Sequence, residues 1–199
     1  NAHKDITGTV VSEGGDPIAG ATVLVIHKTW HNGGYRQDDY TTTTDSRGQF
    51  SLPKIVATAA RYGLNVAVLA PRHAMVSEYR YVAKPTGGDV TPFELKAPKS
   101  PNLRVRVMSS EGKPLAHRTV APKARKAADG VEHNVYFQGS KAAHRTTDDD
   151  GVVKLDWFTA GDTGTLLVES GADWKSARFK LSSNANEGGV VTVTLPEED

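Results

Sequence analysis

The residues best equipped for chemistry in this chain are aromatic and polar, and they gather in two places. The segment Trp30-His31-Asn32-Gly33-Gly34-Tyr35-Arg36-Gln37-Asp38-Asp39-Tyr40 mixes rings, carboxylates, amides and a guanidinium around a Gly pair. Glu78-Tyr79-Arg80-Tyr81 is a shorter stretch of the same kind. Aromatic faces stack on sugar rings, and Asn, Asp and Arg hydrogen-bond their hydroxyls. Tyr79 and Tyr81 are two apart, so on a strand they share one face. Trp30, Tyr35, Arg36, Tyr40, Tyr79 and Tyr81 are therefore the candidate ligand-binding residues, for a glycan or another protein. The plainer reading has Trp30 closing the end of the fold and the tyrosines covering a sheet edge.

Other chemistry has thinner support. There is no Cys, which removes thiol nucleophiles and thiolate metal sites. His27 and His31 are four apart and would share a helix face, but here they straddle a strand end and a Gly-Gly loop. Asp148-Asp149-Asp150-Gly151 clusters carboxylates that Ca²⁺ could use. Its counterpart Asp45-Ser46-Arg47-Gly48 carries an Arg, which favours a plain turn. No Ser stands in a Gly-x-Ser-x-Gly elbow. An internal isopeptide bond would need a first-strand Lys and a last-strand Asn; Ile6–Val11, Leu103–Val107 and Val190–Leu195 supply neither. Lys113, His117, Arg118, Lys123, Arg125 and Lys126 form a basic stretch without the interleaved aromatics that nucleic acid asks for. It reads as a solvated loop. No catalytic residue, metal or cofactor is assigned, and the chain is expected not to be an enzyme.

The totals agree. The 199 residues carry 24 Lys+Arg against 23 Asp+Glu, a formal charge of +1. Such balance does not steer a chain toward nucleic acid. No apolar run approaches the ~20 residues that span a bilayer. The opening Asn1-Ala2, without Met, reads as the remnant of a cleaved expression tag. The native segment is then expected to begin near His3, cut from a longer parent chain. Asn134-Val135-Tyr136-Phe137-Gln138-Gly139-Ser140 approximates a tag-protease site and is read as coincidence.

The elements that must position the aromatics are strands. Short β-prone runs separated by Gly, Pro, Asp and Asn occur at Ile6–Val11, Ala21–His27, Gln49–Leu52, Leu64–Leu69, Leu103–Val107, Val152–Asp156, Thr165–Glu169 and Val190–Leu195. That spacing predicts a sandwich. Ala57–Arg61 is the best helical candidate, at about one turn.

The pattern occurs twice. Gly8-Thr9-Val10-Val11, a Gly-rich turn, Pro17-Ile18-Ala19-Gly20-Ala21-Thr22-Val23 and later Thr44-Asp45-Ser46-Arg47-Gly48-Gln49-Phe50 make the first copy. Leu103–Val107, Ser110-Glu111-Gly112-Lys113-Pro114-Leu115-Ala116 and Thr147-Asp148-Asp149-Asp150-Gly151-Val152 make the second. Pro17 aligns with Pro114 and Asp45 with Asp148, so the second copy is longer between its landmarks. Pro starts a strand where a missing N–H does least harm. Gly20-Ala21 is small enough for a close strand neighbour. Asp caps a turn that Gly closes at positive φ.

These motifs resemble the carboxypeptidase regulatory-like (transthyretin-like) domain. The first copy follows the family pattern closely. The second departs from it where Ala116-His117-Arg118 replaces Ala19-Gly20-Ala21. The resemblance implies an all-β chain of two tandem Greek-key sandwiches, residues 2–96 and 101–197. It further implies a non-catalytic spacer or assembly module in a larger exported bacterial protein, placed outside the cytoplasm. Hydrolases of transthyretin-like fold end in Tyr-Arg-Gly-Ser, whereas this chain ends Leu195-Pro196-Glu197-Glu198-Asp199. The expected cores are Val10, Val23, Val25, Phe50, Leu52, Val66 and Val68, then Val105, Val107, Val153, Leu155, Leu167 and Val193, with Trp157 and Trp174 over the second. Leu95–Asn102, with two prolines, is expected to be a stiff linker.

Overall fold

The computed structural model describes residues 3–31, 33–57, 61–82, 90–135, 141–182 and 189–196. Among these residues the fold is all-β apart from one 3₁₀ turn at Lys141–Ala143. The chain divides into two compact units, Asn1–Pro71 with Val76–Pro98, and Arg72–Met75 with Lys99–Asp199.

The first unit contains β1 (His3–Ser12), β2 (Thr22–His31), β3 (Gly34–Thr43), β4 (Gln49–Ala57), β5 (Tyr62–Leu69), β6 (Val76–Val82) and β7 (Phe93–Ala97). They form a three-stranded sheet, β4-β1-β7, and a four-stranded sheet, β3-β2-β5-β6. Val10, Phe50, Leu52, Phe93 and Leu95 from one sheet share a core with Val23, Val25, Leu64, Val66 and Val68 from the other. Period-two alternation dictates this, since every second residue of a strand faces the same way.

The second unit contains β8 (Leu103–Met108), β9 (Thr119–Lys126), β10 (Glu132–Asn134), β11 (Arg145–Thr146), β12 (Val152–Leu155), β13 (Thr163–Ser170), β14 (Asp173–Lys180) and β15 (Val190–Thr194). Its sheets are β12-β8-β15 and β10-β9-β13-β14, with β11 also on β9. In each unit the first strand pairs antiparallel with one strand and parallel with the last. The expected core residues of this unit are all buried, and so is Trp157. Trp174 is only half-buried.

The same latch closes both units. Thr44 Oγ1 donates to the Ile18 carbonyl at 2.7 Å and accepts the Ala21 N–H at 2.9 Å. Thr147 does the same with Leu115 and Arg118, at the same two distances. The neighbouring aspartates accept two turn amides each: Asp45 from Arg47 and Gln49, Asp148 from Asp150 and Val152. Gly48 and Gly151 both sit at φ +71°, and a Cβ on Gly48 would lie 2.5 Å from the Val10 carbonyl oxygen.

Several expectations change. Gly20 does not serve close packing, because a Cβ there would meet nothing within 4 Å. It is needed for its φ of +69°, and His117 occupies the matching position at +54°. Strand β1 begins earlier than expected and takes in Lys4, while β7 contains no Asn. The expected linker shortens, since Leu95 and Ala97 continue the inward alternation of Phe93 and are buried. Ala57 ends β4, and residues 58–60 lie outside the described residues.

Half of the basic stretch is strand rather than loop. Lys123, Arg125 and Lys126 lie on β9. Arg125 is only 3% exposed because it faces Asp162, which is fully buried. Arg125 Nε donates to Asp162 Oδ2 at 2.5 Å, and Nη1 donates to the Met75 carbonyl at 3.0 Å, both within the second unit. Lys123 donates to Ser176 Oγ at 2.9 Å, and Lys126 pairs with Glu132 at 3.6 Å.

Candidate binding surface

The segment expected to be a loop around Trp30 is a long hairpin. β2 and β3 stay paired from Thr22–Thr43 out to His31–Gly34. Gly33, at φ +95°, supports the reversal. Asn32-Gly33 between two β-prone runs is the sequence signal that should have announced it. The His31 side chain lies outside the described residues, so a His27–His31 pair cannot be placed.

Strand alternation then sorts the candidate residues. Val23 and Val25 face the core, so Lys28 and Trp30 face the other way. Tyr35 is opposite Trp30, and Tyr81 is opposite Gly63, which is itself opposite Lys28. Tyr79 is opposite Asn65. Trp30, Tyr35, Tyr79 and Tyr81 therefore share the outer face of the four-stranded sheet. Tyr40 is opposite Val25 and packs on the core, with Arg36 on the same inward side. The six candidates are thus split four to two.

Trp30, Tyr79 and Tyr81 cluster together, and Tyr35 lies across from Trp30. The Trp30 and Tyr81 rings meet edge-to-face, 5.4 Å apart at 81°. A Cβ at Gly63 would lie 2.6 Å from the Tyr79 hydroxyl and 3.0 Å from the Trp30 ring. Glycine is required here because those two side chains close over it. Lys28 Nζ sits 5.3 Å from the centre of the Tyr35 ring, a cation–π distance. Tyr35, Tyr79 and Tyr81 are 61%, 57% and 51% exposed. Asn65 stands on this face, buried, and its Oδ1 has no hydrogen-bond partner among the described residues.

The inward pair is engaged locally. Arg36 holds Asp38 at 2.9 and 3.0 Å. Beside them, His27 is buried, with Nε2 3.4 Å from Thr29 Oγ1 and its ring edge-on to Tyr62. Burial lowers the His27 pKa, opposed by the Asp38 carboxylate. Burial raises the Tyr40 and Tyr62 phenols, and Asp38 adds to the rise at Tyr40. Arg80 stacks on Phe93 at 3.8 Å, pairs with Glu78 at 2.6 Å and donates to the Thr91 and Pro92 carbonyls.

Elsewhere, several carboxylates are also committed. An open groove of about 710 Å³ in the first unit is lined by Thr7, Thr9, Gln49, Ser51, Asp45 and Glu94 among others; Asp45 already caps its turn. Among the described residues no three His, Asp or Glu converge as metal ligands. Asp148 caps its own turn, and Asp149 pairs with His117 at 2.9 Å. What the outer face can do chemically is stack and hydrogen-bond.

Residues 5–86 match the carboxypeptidase regulatory-like domain, a span that holds all four outer-face aromatics. Comparison with the curated proteins returns no match. Among solved structures, the shaft pilin SpaA of Lactobacillus rhamnosus GG is 14% identical, over 99% of both chains, with a TM-score of 0.38. The TIE protein of Bacillus anthracis is 14% identical over 98% of this chain and 34% of its own, at 0.35. A DUF3823 family protein from Bacteroides uniformis is 10% identical over 91% and 99%, at 0.35. Similarity at this level carries no functional meaning. Among the described residues no helix is long and apolar enough to cross a membrane.

Proposed function

We propose that the chain is a non-catalytic accessory module, a pair of carboxypeptidase regulatory-like sandwiches at residues 2–96 and 101–197, within a larger exported bacterial protein. The observation that carries this is the repeated latch, in which Thr44 and Thr147 tie the same turns with the same bonds. A chain that spends its polar groups on turn caps and internal ion pairs is built to hold shape. Placement outside the cytoplasm rests on the family match of the first unit. A panel of generic ester, amide and glycoside substrates tests the first half of this reading. No turnover is expected, and turnover lost on changing one ionisable residue would overturn it.

A second reading is favoured by the outer face of the first unit. Three well-exposed tyrosines and one Trp on a single face exceed what a sheet edge needs for cover. We infer that this face is a recognition surface, with Trp30, Tyr35, Tyr79 and Tyr81 as its contact residues. Arg36 and Tyr40, turned inward, support the hairpin. Substituting Tyr35 and Tyr81 by Ala should leave the melting temperature nearly unchanged, because their rings are exposed. A large loss of stability would mean that the rings serve the fold instead.

A further inference from the structure

We propose that the outer face of the four-stranded sheet binds a neutral oligosaccharide laid across the strands. This rests on the recognition-surface reading above and adds the class of ligand.

The first ground is the shape of the patch. Tyr35 belongs to β3, Trp30 to β2 and Tyr79 and Tyr81 to β6, with the bare backbone of Gly63 on β5 between them. Three inter-strand steps of about 4.8 Å make a stripe of roughly 14 Å. That is long enough for more than one sugar ring. Trp30 and Tyr79 lean over Gly63 from either side, so the aromatic surface is continuous. A side chain at position 63 would break it.

The second ground is polarity. Among the described residues the exposed large hydrophobics are Tyr35, Tyr79, Tyr81, Val131 and Val190. The three in the first unit are all phenols on this face. Protein interfaces also use Tyr and Trp, there packed into desolvated pockets; on this face the three tyrosines stand more than half exposed on an open sheet. Here every exposed ring carries a hydroxyl, which suits a ligand that is apolar on its ring faces and hydroxylated at its rim.

The third ground is the unpaired Asn65 Oδ1. A buried acceptor without a donor is costly and calls for an explanation. Asn65 stands directly across from Tyr79 on the same face, 6% exposed. A ligand hydroxyl seated beside Tyr79 would supply the donor that this oxygen lacks. Gln37 and Asp39, joined at 3.1 Å, lie on the same side of β3 and offer further partners at the rim.

The test uses the whole chain and affinity electrophoresis through gels containing cellulose-, chitin- or mannan-derived soluble neutral glycans, followed by titration of any glycan that retards it. Saturable binding to at least one neutral glycan is expected. Trp30→Ala and Tyr81→Ala should each weaken it about fivefold or more, a stacking contribution of about 1 kcal/mol. Gly63→Val should weaken it with every ring retained. Thermal melts identify any variant that fails to fold, and Tyr35→Ala, at the far end of the stripe, is the alternate. No retardation by any glycan overturns the inference. A peptide array run in parallel separates the two failures. Peptide binding abolished by Tyr81→Ala would keep the surface and reject the sugar, and silence in both assays would reject the surface as well.

Discussion

Removing the Asp162 carboxylate should destabilise the second unit more than any surface change. Asp162 is fully buried, and Arg125 is 3% exposed. The carboxylate accepts Arg125 Nε at 2.5 Å and Nη2 at 3.4 Å, and the Thr159 N–H at 2.7 Å. Asp162→Ala would leave a guanidinium out of water with the Met75 carbonyl as its remaining partner. Breaking a buried pair from one side costs about 3–5 kcal/mol. For a unit of this size, about 4–8 °C of melting temperature follows each kcal/mol, so a fall of at least roughly 12 °C is expected. Arg125→Met should cost a similar amount, since the carboxylate would keep only the Thr159 amide. The double variant Arg125→Met, Asp162→Ala strands neither charge. It should recover about 2 kcal/mol or more of the summed single losses. Urea unfolding followed by fluorescence in a Trp30→Phe background, where Trp157 and Trp174 report on the second unit, supplies all four corners of the cycle. A single-variant cost below about 1 kcal/mol would refute the argument from burial. So would strictly additive losses.

Three further outcomes follow from the turns and the hairpin. Thr44→Val keeps the volume but strands the Ile18 carbonyl and the Ala21 N–H, so it should cost about 2–4 kcal/mol; Thr44→Ser should restore most of that in chemical denaturation. Gly20→Ala pays only for its positive φ, about 1 kcal/mol, whereas Gly48→Ala adds a clash 2.5 Å from a backbone oxygen and should cost clearly more in the same titration. His27, with its folded pKa lowered by burial, takes up its proton less readily folded than unfolded. Its neutral form supports the fold fully above the unfolded value of about 6.5, and stability is lost as pH falls from there through the depressed folded value. Melting temperatures from pH 8 to pH 5 should fall less steeply in His27→Gln, and parallel curves would remove His27 as a cause.

Reading strands from this sequence works because their signals are local. Period-two alternation at Leu103, Val105 and Val107 marks the buried side of β8, whereas the unbroken apolar runs Val23–Ile26 and Val66–Leu69 mark strands buried on both faces. Asp45 and Asp148 cap turns within four residues of themselves, so their role is written in Thr-Asp-x-x-Gly. Thr44 and Thr147 sit in the same motif, yet their partners Ile18 and Leu115 are 26 and 32 residues away. The motif announced the turn without announcing the latch. His117 likewise stood out as a departure from the pattern, but only the backbone showed that it carries Gly20's positive φ.

Sequence by itself determined the all-β class, the two occurrences of the turn motif and the shared face of Tyr79 and Tyr81, because each depends on residues within a strand or turn. Tertiary structure decided the rest. Whether Tyr35 joins Trp30 or lies behind it depends on the register of β3 on β2, and a slip of one residue would exchange it with Arg36. Why position 63 is glycine depends on two side chains arriving from other strands. Whether Arg125 is a solvated cation or half of a buried pair depends on Asp162, 37 residues further on. A charge earns burial only from the partner that folding brings to it, and that partner is not written beside it in the chain.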